Sequence, residues 1–417
     1  MINKIKSIFL GGETRSHLFK TFFVYGFISL SIIIIKILIA RLYGQVELGI
    51  FTFFFSLVSL VFLFTSFGIP EALTQKIIRN SDQTKHYLKK AIFAIIPPTI
   101  IFLVTSTMIV SKTSLSPNIQ HFNWAFIVYI VAYTLHYFTY SIMRGQKKFV
   151  TASIFSLINR ISVIILIIIL ATTPTKFIVV LFSFSVALII ATLASLPFIK
   201  IKKNAIKNLP ESNKVFLLLA FSLFLTQVSF YSLRFVDAIT IELLVDFASL
   251  GLYSAYGSIT NVIRLLGYVF PMVVIPMAAV SSFKIKQSFK KLLWLLLPFS
   301  SIVLASTYFL VPFLYGNEYQ ATYLPVVLVI SSTLLIIYSY FNSIFVGENK
   351  YSSFYIKIIF IDFLISLVIN TLLNIFFIQR MGIIGAPIAT AITIVIKIIL
   401  NIYGIKKLRI KNKSQNI

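Results

Sequence analysis

Cysteine is absent from this 417-residue chain, so disulfides and thiolate ligands are excluded at the outset. Histidine is nearly as scarce: four scattered residues offer no spacing that would hold a metal, and no cofactor motif is present. Acids are few, 11 Asp and Glu against 37 Lys and Arg, and charged residues of both signs make up only 12%. The hydrophobic share is 59% and the mean hydropathy +0.97, outside the range of soluble globular domains. A net charge of +26 would suggest a nucleic-acid partner in a soluble protein. Here the cations sit between apolar runs, where they set orientation and attract anionic headgroups, so no nucleic acid is expected. Long hydrophilic loops are missing too. The gaps assigned below to the outer face hold about a dozen residues at most, too little chain for the acids, Arg and His of a membrane polymerase or glycosyltransferase. Transport is favoured over catalysis, and the chain is expected not to be an enzyme.

What is present is a series of about twelve apolar stretches, each near the roughly 20 residues that cross about 30 Å of hydrocarbon. They run over 20–40, 48–69, 88–110, 122–143, 151–171, 177–198, 215–236, 250–280, 289–312, 322–346, 353–377 and 382–404. The gaps between them alternate in charge. Basic gaps contain Lys76, Arg79, Lys85, Lys89 and Lys90; Arg144, Lys147 and Lys148; Lys200, Lys202, Lys203, Lys207 and Lys214; Lys284, Lys286, Lys290 and Lys291; and a tail from Lys406 to Lys413. The intervening gaps hold at most one cation each, such as Arg41, Lys112, Lys176 and Arg380. Lys and Arg are retained on the cytoplasmic side, so the alternation predicts both the number of crossings and two cytoplasmic termini. About twenty mixed residues precede the first span with no cleavage pattern, so no signal peptide is expected. Ile2, Ile5, Ile8 and Phe9 among lysines suit a short interfacial helix.

The chain also repeats itself. Leu48-Gly49-Ile50-Phe51 returns as Leu250-Gly251-Leu252-Tyr253, displaced by 202 positions. Gly145-Gln146-Lys147-Lys148-Phe149 returns at the same displacement as Gly347-Glu348-Asn349-Lys350-Tyr351. This predicts an all-α integral membrane protein of two pseudo-symmetric six-helix bundles, related by an axis along the membrane normal, with a central cavity as the substrate path. The expected division is a cytoplasmic segment (1–19), an N-lobe (20–198), a basic linker (199–214), a C-lobe (215–404) and a basic tail (405–417).

Four segments carry a resemblance. Ala40-Arg41-Leu42-Tyr43-Gly44-Gln45-Val46-Glu47-Leu48-Gly49-Ile50-Phe51, Phe67-Gly68-Ile69-Pro70-Glu71-Ala72-Leu73, Leu250-Gly251-Leu252-Tyr253-Ser254-Ala255-Tyr256 and Gly382-Ile383-Ile384-Gly385-Ala386-Pro387-Ile388-Ala389-Thr390 resemble the polysaccharide transporter family. That family includes the Wzx-type O-antigen flippases, within the superfamily of multidrug, oligosaccharidyl-lipid and polysaccharide exporters. The resemblance implies movement of an undecaprenyl-diphosphate-linked oligosaccharide to the periplasmic leaflet of a bacterial inner membrane, by alternating access. It also implies H+ or Na+ as a coupling ion and a polymerase or chain-length protein as partner.

Charges inside the spans are the candidate site residues. A lone charge at the centre of a bilayer costs at least about 2.5–3.5 kcal/mol, so each should face water or a partner. Lys36, Lys357 and Lys397 lie near span ends and read as snorkelling, and Arg234 reads as a helical pair with Asp237. Asp237, Glu242 and Asp246 read as an exposed acidic loop. Arg160 and Asp362 lie about 14 Å into their helices and Arg264 about 20 Å, too deep for that explanation. Arg264 and then Arg160 are the expected hosts for the diphosphate, because guanidinium matches phosphate oxygens in bidentate fashion. Asn261, Tyr268, Ser366 and Asn370 fall at helical spacing with Arg264 or Asp362 and are expected to line the cavity. Asp362, the midplane acid, is the candidate for ion coupling or a gate, and its repeat mate Arg160 the candidate partner. Tyr129, Tyr133, Tyr137 and Tyr140 form a stripe suited to sugar contacts. The competing reading is a cation-coupled multidrug exporter of the same superfamily, which should favour deep acids and aromatics over deep arginines.

Overall fold

In a computed structural model, residues 12–79, 83–112, 122–171, 177–199, 213–278, 285–348 and 353–414 are described, and every regular element among them is helical. The α-helices are α1 (Gly12–Tyr43), α2 (Gln45–Ser66), α3 (Ile69–Arg79), α4 (Thr84–Lys112), α5 (Phe122–Gly145), α6 (Phe149–Ala171) and α7 (Phe177–Ser195). They continue with α8 (Asn213–Leu244), α9 (Phe247–Ala278), α10 (Ile285–Tyr315), α11 (Leu324–Glu348), α12 (Ser353–Leu364), α13 (Asn370–Met381) and α14 (Gly385–Ser414). Helix is the expected answer to hydrocarbon, because it satisfies each peptide group within its own segment. Two passes are interrupted: α2 and α3 form one broken helix, and α12 joins α13 through a π-helical segment, Ile365–Ile369. Counted this way the described residues form twelve helical passes, consistent with the apolar stretches. The expected interfacial helix at Ile2–Phe9 lies outside the described residues, as does 200–212 of the basic linker.

Contacts group the chain into two compact units, 1–38 with 58–224 and 39–57 with 225–417. Residues 39–57, around the α1–α2 turn, are thus grouped with the second half of the chain. In the first unit Ile69, Leu73 and Ile77 of α3 pack with Tyr87 and Ala91 of α4, Phe138 and Ile142 of α5, and Phe216 and Ala220 of α8. In the second, Leu233, Leu335, Tyr338 and Ile394 join α8, α11 and α14. The outward faces are apolar as well. Trp294, Leu295, Phe309 and Phe313 of α10 are among the most exposed side chains, which makes that face a lipid surface.

The break in the α2–α3 pass has a local cause. Phe67 and Gly68 both adopt positive φ, 47° and 67°. A Cβ on Gly68 would lie 2.2 Å from the Ala220 carbonyl oxygen and 2.6 Å from the Phe224 nitrogen. Only glycine allows both the left-handed backbone and this approach. Gly68→Ala is expected to lower stability by at least about 1–2 kcal/mol from the backbone term alone. Thermal unfolding in detergent checks this, and an unchanged midpoint would show that the contact with α8 is loose.

Candidate functional site

The second unit contains two buried polar networks on α8, α13 and α14 and their neighbours. In the first, Lys397 of α14 is 0% exposed. Its Nζ donates to the Ser229 carbonyl (2.6 Å) and Ser366 Oγ (2.6 Å), and lies 3.5 Å from Asp362 Oδ2. The Tyr338 ring sits 4.3 Å from the ammonium, and the Tyr338 hydroxyl donates to Asp362 Oδ2 at 2.8 Å, as does that of Ser229. The reading of Lys397 as a snorkelling cation is therefore corrected: its three donors are used inside the bundle. Lys36 is likewise enclosed at 5% exposure, whereas Lys357 is exposed. Asp362 has Lys397, from its own unit, as its ion partner in this structure.

The π segment explains how one pass serves both networks. Four-residue steps drift by about 40° on a regular α-helix. One wider turn at Ile365–Ile369 counters that drift, and Asp362, Ser366, Asn370 and Asn374 all remain buried. Ser366 and Asn370, expected as cavity lining, have no exposed surface. Ser366 is consumed by Lys397, and Asn370 Oδ1 accepts from Thr393 Oγ1 at 3.0 Å.

The second network surrounds Asp237 of α8. Asp237 is 0% exposed, so its assignment to an exposed acidic loop is also corrected. Oδ1 accepts from Thr390 Oγ1 (2.8 Å) and Asn374 Nδ2 (3.0 Å), and Oδ2 from Tyr253 OH (2.9 Å). These partners, from α14, α13 and α9, are all uncharged. Asn374 Oδ1 is buried without a hydrogen-bond partner among the described residues. A carboxylate with nearby amide and hydroxyl oxygens is a donor set for a small hard cation or a proton. Of its loop neighbours only Asp246 is exposed, and it caps α9 by accepting from the Ser249 N–H at 2.6 Å.

The arginines differ from the lysine. Arg264 of α9 is half-buried and anchored at Nε by Ser332 Oγ of α11, 3.1 Å away. Asp237 and Tyr253 lie within reach of its charge. Asn261, one turn before it, is also half-buried, and the side chain of Tyr268 lies outside the described residues. In the first unit Arg160 of α6 is half-buried, and its charge acts on Tyr129, Tyr133 and His136 of α5. Those tyrosines form a ladder: ring centroids are 5.8 Å apart for Tyr129–Tyr133, 6.0 Å for Tyr133–Tyr137 and 5.9 Å for Tyr137–Tyr140. Phe62 packs edge-on against Tyr133 and Tyr137, and Tyr137 OH donates to Glu71 Oε1 at 2.7 Å. Tyr129 is only 4% exposed, so for this member the sugar-contact expectation gives way to interior packing.

Residues 18–280, more than half of the chain, match the family described as polysaccharide biosynthesis protein. The chain belongs to that family. Its fold is similar to that of the lipid II flippase MurJ in an inward closed conformation, at 18% identity and a TM-score of 0.58 over 92% of this chain and 87% of that one. It is similar also to an inward-facing multidrug resistance MATE family transporter of the MOP superfamily, at 15% identity and 0.57 over 93% and 95%. A third similar structure is a MOP superfamily transporter from Pyrococcus furiosus, at 13% identity and 0.52 over 96% and 95%. No curated relative matches. This member of the polysaccharide biosynthesis family is therefore a multi-pass membrane protein with the fold of MOP superfamily transporters.

The buried ion pair gives a direct prediction. Lys397→Met leaves an uncompensated buried carboxylate and should cost about 3–5 kcal/mol, whereas Lys397→Met with Asp362→Asn should recover much of that loss. Thermal unfolding of the singles and the double in detergent checks it. Additive losses would mean that the two residues are not coupled.

Proposed function

We propose that the protein moves a lipid-diphosphate-linked oligosaccharide, of the undecaprenyl type, from the cytoplasmic to the outer leaflet by alternating access. The observation that carries this reading is a pair of half-buried arginines deep in the spans, neither of which forms an ion pair among the described residues as Lys397 does. A diphosphate must carry negative charge through a medium of low dielectric, and guanidinium groups are its natural hosts. Ser332 fixes Arg264 at Nε, which orients the two terminal nitrogens as a fork. Likeness to a lipid II flippase and to a multidrug transporter is nearly equal, so the fold does not choose between them. The charge sign at depth supports the flippase: an exporter of organic cations would want carboxylates where this chain has Arg160 and Arg264. Family membership in polysaccharide biosynthesis supports the same choice.

Coupling is assigned to Asp237 in preference to Asp362. Asp362 already has a built-in cation in Lys397, while Asp237 is held by neutral donors and retains capacity for a proton or Na+. Asp362 then serves as a fixed tie between α12 and α14.

Deleting the gene should leave the complete glycan on its lipid at the cytoplasmic face and remove the surface polymer. Normal polymer with increased sensitivity to cationic drugs would instead establish the exporter. Arg264→Ala and Arg160→Ala should each abolish the polymer at unchanged protein level, with Arg264→Lys restoring only part because an ammonium cannot form the bidentate contact. Complementation by both alanine variants would remove phosphate binding from these residues. Asp237→Asn should abolish transport and any thermal stabilisation of the purified protein by Na+ or protons. Retention of ion-driven transport would move coupling elsewhere.

A further inference from the structure

α14 does not end where its apolar stretch does. The helix runs to Ser414, ten residues beyond the expected span end at 404, an extension of about 15 Å. Ile405 and Leu408 are buried, so the first turns of the extension stay packed on the bundle. Lys406, Lys407 and Arg409 between and after them are exposed.

Lys407 is held between two helices of one unit. Its Nζ lies 4.9 Å from the ring centroid of Phe354, in the first turn of α12, and 5.8 Å from that of Tyr403 on α14 itself. Both distances are within cation–π range. The ring contacts of Lys89 with Phe93 and of Arg144 with Tyr140, at other basic gaps, join neighbours on a single helix. One turn beyond Phe354, Lys357 of α12 is exposed as well.

These cations have no acid to answer them. α14 contains no Asp or Glu, and the one acid of α12, Asp362, is taken by Lys397. Lys357, Lys406 and Lys407 form no ion pair among the described residues. The surface that they terminate is apolar. α12 turns Ile356, Phe360 and Ile361 outward, and α14 turns out Val395 and Ile399, with Tyr403 next in line before Lys407. Acyl chains can cover the stripes, but the lysines at their end require an anion. An exposed tyrosine and lysines closing an apolar surface suit the boundary between chains and headgroups.

We propose that the cytoplasmic ends of α12 and α14 bind the phosphate of one anionic phospholipid, held between Lys357 and Lys407 with Lys406 beside it. The charge alternation puts these ends on the cytoplasmic face, where anionic headgroups attract basic segments. The phosphate bridges two helices that otherwise present like charges to each other. It reinforces at the surface the tie that Lys397 and Asp362 make at depth. A bulk phospholipid is favoured over the carrier lipid because the site lies on an outward, lipid-facing surface, where bulk lipid is the abundant species. The site is independent of the cargo assigned above.

Thermal unfolding of the purified full-length chain in a non-ionic detergent, titrated with phosphatidylglycerol, tests it. Phosphatidylglycerol should raise the midpoint saturably, and phosphatidylcholine or inorganic phosphate should not. A lysine near a headgroup contributes about a fivefold factor in affinity, so Lys357→Gln and Lys407→Gln should each weaken the lipid response about fivefold, and together about 25-fold. Both side chains are exposed, so stability without lipid should be little changed. Lys290→Gln with Lys291→Gln, at exposed positions of α10, should leave the response intact. A wild-type response in the Lys357→Gln/Lys407→Gln protein, or an equal loss from the α10 pair, would overturn the site, the second by showing diffuse attraction only. Stabilisation by undecaprenyl phosphate with none by phosphatidylglycerol would overturn the phospholipid assignment.

Discussion

Backbone and side-chain polar groups that this protein buries within the bilayer must be satisfied inside the fold, and much of the architecture follows from that. Helix satisfies the peptide groups segment by segment, so departures from helix are confined to places where other groups take over. The π segment at Ile365–Ile369 carries Ser366, which serves Lys397. The break at Phe67–Gly68 lies against the backbone of α8. The irregularities are therefore anchored, and each marks a junction between helices that are remote in sequence.

The same requirement sorts the intramembrane charges into three kinds. Lys397 and Asp362 neutralise each other inside one unit, with two serines and a tyrosine satisfying most of their remaining capacity. Asp237 accepts hydrogen bonds from hydroxyl and amide donors, with the Arg264 charge within reach. Arg160 and Arg264 are only half-buried, and Arg264 is held at Nε by Ser332. The carrier function proposed above would use all three: a tie that stays, an acid that changes state, and cations that meet the cargo.

The internal repeat preserves backbone positions and leaves their chemistry to diverge. Arg160 and Asp362 are mates, yet one is surrounded by tyrosines and the other by a lysine. At Gly49 and Gly251 the opposite holds. A Cβ on Gly49 would lie 1.8 Å from the Phe247 carbonyl oxygen and one on Gly251 2.1 Å from that of Gln45, so substitution of either glycine would destroy the contact, and both copies keep the same residue.

Read alone, the sequence determined the twelve passes through its apolar lengths and charge alternation, because hydrocarbon thickness and the retention of Lys and Arg act on local stretches of chain. It also determined the helical stripe Asp362, Ser366, Asn370 and Asn374, because that pattern lies within one pass. The roles of Lys397 and Asp237 were decided only by tertiary structure. Position along a helix measures depth, and both residues looked close enough to water to be explained away. Which neighbours enclose a side chain depends on packing between segments 133 to 168 residues apart in the chain, as in the ties from Ser229 to Asp362 and Lys397. The contact at Gly49 and Gly251 was half legible. The two glycines stood out as a repeated motif, and only the packing of α2 against α9 showed that the two copies touch, since no local pattern encodes a meeting 202 residues apart.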